Sequence, residues 1–214
     1  MKSKIMKMMV ALFALTSICT AAKQTGAIVK DADGNKYPTM KIGKQVWMAK
    51  NLNVKTDGSW CYDNDPANCE KYGRLYAWDA AMKACPSGWH LPGKEEMEAL
   101  IIAVEARVEQ IVTPKKLNAE PLKIGEGIGI NHLRDVSWEG GFDTFGFSVL
   151  PAGQYDWDGG RVEFRLLDRQ ASFWSSTEDG SQAVFHMDIK ANQWRINDRF
   201  RNFHARSVRC LKDN

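Results

Sequence analysis

The stretch GRLYAWDAAMKACPSGWHLPGKEEMEALIIAVEARVEQI, residues 73–111, decides the fold class because it contains two helical patterns in succession. The second pattern is the clearer one. Pro92 and Gly93 open it, and Glu95 and Glu96 stand in the first turn, where acidic side chains suit the helix dipole. Its apolar residues recur every three or four positions and predict one buried face, formed by Met97, Leu100, Ile101, Val104 and Val108.

The first pattern predicts a shorter helix that ends near Cys85, just before the Pro86-Ser87-Gly88 break. Its apolar stripe consists of Leu75, Trp78, Ala81, Met82 and Cys85. Residues 27–53 predict a strand meander with turns at Asp33-Gly34 and Gly43-Lys44.

Residues 113–141 lack periodicity and predict loops. From Phe142 onward, short strand-like runs return, with hairpin turns at Asp179-Gly180 and Ala191-Asn192. Two early helices followed by short antiparallel strands indicate an α+β domain.

The first 22 residues predict a secretory signal peptide, with three lysines, an apolar segment MMVALFALTSI and small residues before a cut after Ala22. The alternative is a lipoprotein signal that uses Cys19, although Ile18 stands where a small residue is usual. We therefore expect residues 23–214 to form one domain that is secreted or displayed on the cell surface, without a transmembrane segment once the signal is removed.

The net charge of +3 comes from the predicted signal peptide. Because the first 22 residues carry three of the 29 basic residues and none of the 26 acidic ones, the remaining 192 of the 214 residues are formally neutral. No basic excess remains to attract nucleic acid, so we expect no nucleic-acid partner.

Four cysteines remain after removal of the leader, and an even number in an exported chain indicates disulfides. Four cysteines allow three pairings, of which we favour Cys61–Cys69 and Cys85–Cys210. The first would close the loop CYDNDPANC, whose Asn, Asp and Pro residues favour a turn. A zinc site is disfavoured because the sequence has no CxxC and no histidine at ligand spacing from a cysteine.

Six motifs in the same order resemble the Fibrobacter succinogenes major paralogous domain family, from about Asp31 to Asp213. They are KIGKQVWMAKNLN, CYDNDPANCEKYGRLYAWDAA, ACPSGWHLP, FGFSVLPAG, FWSSTE and SVRCLKD. The family's four-cysteine pattern falls on the four cysteines above, and its tryptophan-bearing motifs fall on Trp47, Trp78, Trp89 and Trp174. One departure is Gly93, where the family usually has a Thr or Ser helix cap; Gly is a weaker cap by a few tenths of a kcal/mol.

This resemblance implies a C-type-lectin-like fold, in which two helices pack on a small twisted antiparallel sheet with long loops. It also implies an exported bacterial surface protein and no established biochemical activity. Calcium-dependent sugar binding is disfavoured, because the Glu-Pro-Asn or Gln-Pro-Asp loop of such lectins is absent and Asn197-Asp198 after Trp194 is only a partial match. Asp63, Asn64 and Asp65 are better explained as turn formers, so we predict no metal and no cofactor.

Seven of the eight tryptophans divide into two groups by their sequence surroundings. Trp47, Trp78, Trp89 and Trp174 have apolar neighbours, which favours core packing. Trp138, Trp157 and Trp194 stand in polar or turn-like segments, where a large ring is harder to bury. Aromatic rings flanked by Asp, Asn and Arg suit sugar binding, so we predict a ligand patch of Tyr155, Trp157, Asp158, Trp194 and Arg195. The alternative is that these rings cover the sheet or pack under the long loop.

Enzyme signatures are absent: the chain has no G-x-S-x-G, HExxH, P-loop or dinucleotide motif. His90 in GWHLP predicts a structural hydrogen bond, and nothing singles out a glycosidase carboxylate pair. We therefore expect a non-catalytic binding module for polysaccharide or a surface protein. A structural or protein-binding component of the cell envelope is the alternative, and an enzyme of unknown type is the third.

Overall fold

The computed structural model describes residues 26–112, 128–158, 161–191, 193–200 and 202–214. The predicted signal peptide and Cys19 lie outside these residues, as does much of the predicted loop region 113–141. Within the described ranges the chain is a mixed α/β structure with three α-helices, two β-sheets and two disulfides. None of the helices among these residues is both long and apolar enough to cross a membrane.

The helices are α1 Pro66–Tyr72, α2 Trp78–Ala84 and α3 Lys94–Val112, and two 3₁₀-helical turns cover Tyr62–Asn64 and Ile128–His132. The first seven strands are β1 Ile28–Lys30, β2 Lys36–Ile42, β3 Gln45–Met48, β4 Ser59–Trp60, β5 Leu75–Ala77, β6 Trp89–His90 and β7 Ala152–Asp158. The others are β8 Arg161–Leu167, β9 Ala171–Glu178, β10 Ala183–Lys190, β11 Gln193–Phe200, β12 Ala205–Ser207 and β13 Leu211–Lys212.

The strands form two sheets where the sequence predicts one small one. The smaller sheet has the order β1-β2-β3-β13-β6, so the last strand of the chain joins the first ones. The larger sheet has the order β11-β10-β9-β7-β12-β5-β4, with β8 also paired to β7. Most pairs are antiparallel, but β9 runs parallel to β7 and to β12. The prediction of a purely antiparallel sheet is therefore wrong at these two pairs, which join strands distant in sequence.

The α3 helix packs as its periodicity predicts. All five predicted core residues are at most 2% exposed. They contact Met40 and Trp47 of the smaller sheet and Phe173 and Met187 of the larger one, in a single apolar cluster. Burial of each such side chain contributes about 1.5–3 kcal/mol, and α3 thereby holds residues of both sheets in one core.

The α2 helix differs from its prediction. Leu75 lies in β5 instead of the helix, and Met82 is 43% exposed. Trp78 and Ala81 are buried as predicted, and Ala84 replaces Met82 on the inner face. The helix begins only at Trp78 because Leu75 and Tyr76 pair with β4 and β12, an interaction that no local pattern encodes.

Both predicted disulfides are confirmed, Cys61–Cys69 and Cys85–Cys210. The first bridge ends at Cys69 inside a further helix, α1, that the local sequence pattern did not predict. Its N-cap is Asp65, whose carboxylate accepts a hydrogen bond from the backbone nitrogen of Ala67 at 2.9 Å. Asp63 and Asn64 have positive φ angles of 52° and 57°, which confirms their role in a turn.

The tryptophans predicted for the core are buried, with Trp47, Trp78 and Trp174 at most 6% exposed and Trp89 half-buried. The expectation that Trp138 is hard to bury is wrong, since this ring is only 7% exposed. The guanidinium of Arg134 lies over it, with Cζ 4.4 Å from the ring centroid. The backbone carbonyls of Glu139 and Ala191 accept hydrogen bonds from the same guanidinium, so a polar segment buries the ring by supplying a cationic cover.

Candidate ligand-binding site

The five residues of the predicted ligand patch lie on two strands that are not neighbours. Tyr155 and the backbone of Trp157 and Asp158 belong to β7, whereas Trp194 and Arg195 belong to β11. Strands β9 and β10 separate them, because Gly153 pairs with Ala171, Ala171 with Ile189 and Ile189 with Trp194. At about 4.8 Å per strand, the backbones of β7 and β11 are roughly 14 Å apart along this row. The side chains of Trp157 and Asp158 lie outside the described part of the structure.

On the β7 side, Tyr155 belongs to a group of four rings, the aromatic cluster (Trp60, Tyr62, Tyr155 and Phe164). Trp60 stacks on Tyr155 with a centroid distance of 5.3 Å and an interplanar angle of 21°. Phe164 lies 4.8 Å from Tyr155 and 5.1 Å from Tyr62. Tyr62 is buried, but the other three rings are only half-buried, so the cluster presents aromatic surface to solvent.

Local structure explains why these rings meet. Tyr155 and Phe164 are directly opposite each other in the β7–β8 hairpin, where cross-strand aromatic pairs are favourable. Trp60 and Tyr62 flank Cys61, so the short disulfide loop carries both toward β7. Tyr62 can pack there because Gly153 has no side chain: a Cβ at this residue would lie 2.7 Å from the Tyr62 ring, and its φ is +67°.

Beside the aromatic cluster is an open depression of about 580 Å³, the β7 groove. Its lining consists of Tyr62, Gln154, Asp156, Phe164, Arg165, Leu166 and Arg199. Aromatic, amide, carboxylate and guanidinium groups thus line one surface. A mixed lining of this kind offers rings for packing and polar groups for orientation, as ligand sites do.

Asp156 is the charged centre of the groove. Its carboxylate accepts hydrogen bonds from His204 Nδ1 at 2.8 Å and from Arg206 Nη1 at 2.7 Å, and the Gln154 amide donates to its second oxygen. Gln154 is itself oriented by Gln170, whose amide donates to it at 2.9 Å. Burial alone would raise the pKa of Asp156, but the hydrogen bonds and the Arg206 charge outweigh burial and hold this pKa well below its usual range.

Arg206 completes this network from β12. Its side chain is 1% exposed, and burial lowers its pKa from the ordinary value even though Asp156 opposes that shift. The guanidinium also lies 5.3 Å from the centroid of Trp174. Because Arg206 is fully buried and paired, it fixes the position of Asp156 and leaves ligand contact to the exposed groups of the groove.

On the β11 side, Trp194 and Arg195 line a smaller pocket of about 190 Å³, together with Asp188, Lys190, Gln193 and Asn197. Trp194 is half-buried against the main core, and its indole nitrogen is buried without a hydrogen-bond partner among the described residues. Asp188 accepts hydrogen bonds from Ser172 and from Asn197, the latter at 3.2 Å. Burial would raise the pKa of Asp188, but contact with His186 and Ser172 lowers it overall.

The structure therefore brings Tyr155 together with residues outside the predicted ligand patch. Gln154 and Asp156 alternate with Tyr155 and Trp157 in QYDWD, and this period of two could have shown that strand β7 has a polar face and an aromatic face. No comparable sequence pattern predicts that His204 and Arg206 lie beside Asp156. Among the described residues, no group of three or more His, Cys, Asp or Glu side chains is arranged to hold a metal ion.

Comparison with known proteins places the chain in a family. A sequence model of the Fibrobacter succinogenes major domain matches residues 40–212, which is most of the chain. No match was found among curated proteins or among solved structures. The matched region includes both disulfides, all three helices and the β7 groove. The chain belongs to the Fibrobacter succinogenes major domain family.

Proposed function

We propose that this chain is an exported, non-catalytic module that binds polysaccharide at the β7 groove without calcium. The observation that carries the proposal is that the aromatic cluster contributes two rings, Tyr62 and Phe164, to the lining of a groove that also holds an ionised carboxylate, an amide and two guanidinium groups. The weakly polar faces of sugar rings pack on aromatic rings, while sugar hydroxyls match the polar groups.

The direction of the carboxyl pKa shifts supports binding over catalysis. A glycosidase needs one carboxylic acid with a raised pKa to protonate the leaving group. The pKa of Asp156, the one carboxyl among the residues that line the groove, shifts downward instead. The Asp156 carboxylate is buried and already accepts hydrogen bonds from His204, Arg206 and Gln154. Ligand hydroxyls would therefore meet exposed groups of the groove such as the Arg199 guanidinium.

Two further parts of the proposal, the C-type-lectin-like fold and export from the cell, rest on other features. The resemblance in sequence, together with helices packed on antiparallel strands, supports a C-type-lectin-like fold. The leader and the two disulfides support export to the cell surface or beyond, since disulfides form in oxidising compartments. Sequencing the N-terminus of the protein recovered from intact cells tests export: a mature chain that starts at Lys23 is expected, and retention in the cytosol with Met1 intact would contradict it.

A polysaccharide pull-down and a glycan array test the binding site. Arg199→Ala should weaken binding at least about fivefold, because it removes one charged hydrogen-bonding group from the groove. Arg195→Ala is the matched control, since Arg195 is another exposed arginine of β11 but lines the smaller pocket. Binding that is unchanged in Arg199→Ala and in Phe164→Ala would exclude the β7 groove, and loss in Arg195→Ala or Trp194→Ala alone would move the site to β11.

The second candidate function is protein binding as part of the cell envelope. Strand β11 favours it because this eight-residue strand is at the edge of the larger sheet and ends in Phe200, which is 65% exposed. An edge strand can add a strand from a partner chain. Crosslinking on intact cells distinguishes the two functions, because a sugar-binding module should show no constant protein partner.

A further inference from the structure

A second cavity lies away from the β7 groove and has a different character. It has a volume of about 470 Å³ and is enclosed by β2, the segment after β3, the end of α1 and the loop before β7. We call it the lysine cleft because Lys36, Lys50 and Lys71 lie on its lining. The volume is within the range of small-molecule sites, roughly 300–1,000 Å³.

The lining of the cleft contains a positive charge that is only partly compensated. Arg209 lines the cleft and is buried, and its guanidinium donates only to neutral oxygens. These are Asn51 Oδ1, at 2.5 Å from Nη2 and 3.1 Å from Nε, and the backbone carbonyls of Met48, Phe147 and Ser148. No carboxylate among the described residues is within ion-pair distance of it. Burial lowers the pKa of Arg209 to about 9, and the charge of Asp143 opposes this shift only in part.

The rim adds to this charge. Lys36, Lys50 and Lys71 are exposed, whereas the carboxylates of the lining are those of Glu70 and Asp135. One Asp135 oxygen already accepts a hydrogen bond from the backbone nitrogen of Ser137 at 2.8 Å. The lining thus contains four cationic groups and two carboxylates. Of the four, the Lys71 ammonium donates to Tyr72 Oη at 2.6 Å, and Tyr72 donates to Asp168, so Lys36, Lys50 and Arg209 supply most of the excess. A concave site with such an excess attracts anions.

One residue of the cleft lining also carries a buried acceptor without a partner among the described residues. Asn53 Oδ1 is buried and has no hydrogen-bond partner among the described residues. Since a buried polar atom without a partner is costly, a bound molecule with a hydroxyl group would satisfy it. The ligand that would match these groups is thus an anion that also carries hydroxyl groups.

From the charge of Arg209 and the three lysines and the buried oxygen of Asn53, we propose that the lysine cleft binds a hydroxylated carboxylate of monosaccharide size, a hexuronic acid. Its carboxylate would lie toward the cationic groups and a hydroxyl would donate to Asn53. This site is separate from the β7 groove, so the proposal stands or falls independently of the proposed function.

Isothermal titration calorimetry of the full exported domain with galacturonate, glucuronate and mannuronate tests the proposal, with galactose, glucose and mannose as neutral counterparts. At least one hexuronate should bind, at least about tenfold more tightly than its neutral counterpart, and binding should weaken as salt rises. Failure of all three hexuronates, or equal affinity for acid and neutral sugar, would overturn it. If oligogalacturonate binds more tightly than galacturonate, the natural ligand is the end unit of a polysaccharide. If the two have equal affinity, the natural ligand is the free sugar acid.

Charge-reversal variants place the binding in this cleft. Lys50→Glu should weaken hexuronate binding at least about fivefold, since it replaces an attraction with a repulsion at an exposed position that folding tolerates. Lys44→Glu is the matched control, because Lys44 is also exposed but lies in the β2–β3 turn, outside the cleft. An equal loss of affinity in Lys50→Glu and Lys44→Glu would overturn the assignment to this cleft. Lys36→Glu is a second variant of the cleft, and unchanged affinity in both Lys50→Glu and Lys36→Glu would also overturn the assignment.

Discussion

The Thr177 hydroxyl on strand β9 accepts a hydrogen bond from the backbone nitrogen of Lys94 at 2.9 Å and so caps the N-terminus of α3 from a different part of the chain. Glu96 complements this cap, because its carboxylate accepts from the backbone nitrogen of Gly93 at 2.8 Å. Gly93 has no side chain to cap the helix, and Thr177 supplies the capping acceptor from 83 residues away in the sequence. This hydrogen bond links α3 to the larger sheet.

Removal of this hydroxyl should destabilise the domain. Thr177→Val keeps the branched shape but leaves the Lys94 nitrogen without its acceptor, so we expect a loss of about 1 kcal/mol in the free energy of unfolding. Urea denaturation measures it. Thr177→Ser retains the hydroxyl and is the control; equal stability of the Val and Ser variants would show that the cap contributes nothing.

The two disulfides should contribute unequally. By loop-closure entropy, the Cys85–Cys210 bridge, which spans 125 residues, restricts the unfolded chain by about 5 kcal/mol, and the Cys61–Cys69 bridge, which spans 8, by about 2.5 kcal/mol. Guanidinium denaturation of the two double Cys→Ala variants should therefore show the larger loss for Cys85 and Cys210. A reversed order would mean that the short bridge acts through α1 instead of through chain entropy.

Acid should weaken the fold through Asp156. The pKa of this carboxyl is lower in the folded state than in the unfolded chain, so its contribution to stability is present above about pH 4 and is lost as pH falls toward its folded pKa. The unfolding free energy of Asp156→Asn, measured from pH 6 to pH 2, should fall less steeply with acid than that of the wild type. Asp156→Asn should also be less stable at pH 7, by about 3 kcal/mol or more, because Arg206 remains buried without its partner charge. Parallel pH curves would contradict this role.

His90 should respond to pH in the opposite direction. Burial alone would lower its pKa, but Asp213 at 2.7 Å and Glu96 at 3.1 Å raise it above the ordinary 6.5. A raised pKa gives stability that is present below about pH 6.5 and is lost as pH rises through the folded pKa. Titration by NMR should give a His90 pKa above 6.5 in the wild type and a lower one in Asp213→Asn. The same pKa in both proteins would show that Asp213 does not stabilise the charged ring.

Local patterns predicted the features that depend on neighbours in sequence. The face of α3 from Met97 to Val108 follows from a period of 3.6 residues, and the turns at Gly43 and Asp179 follow from residues that tolerate tight turns. The Cys61–Cys69 pairing follows from the turn-forming loop between the two cysteines. Each of these depends on interactions within a few residues, and such interactions are visible in a single sequence.

What the sequence alone determined about this protein is therefore which residues are apolar, where the chain turns and which cysteines can meet. Only the tertiary structure decided the rest. It placed Tyr155 and Trp194 on strands separated by two others, exposed Met82, buried Trp138 under Arg134, and brought Arg209 beside Asn51 in the lining of the lysine cleft. The physical reason is that strand order and the cover over each side chain arise from contacts between distant segments, and these depend on the free energy of the whole fold.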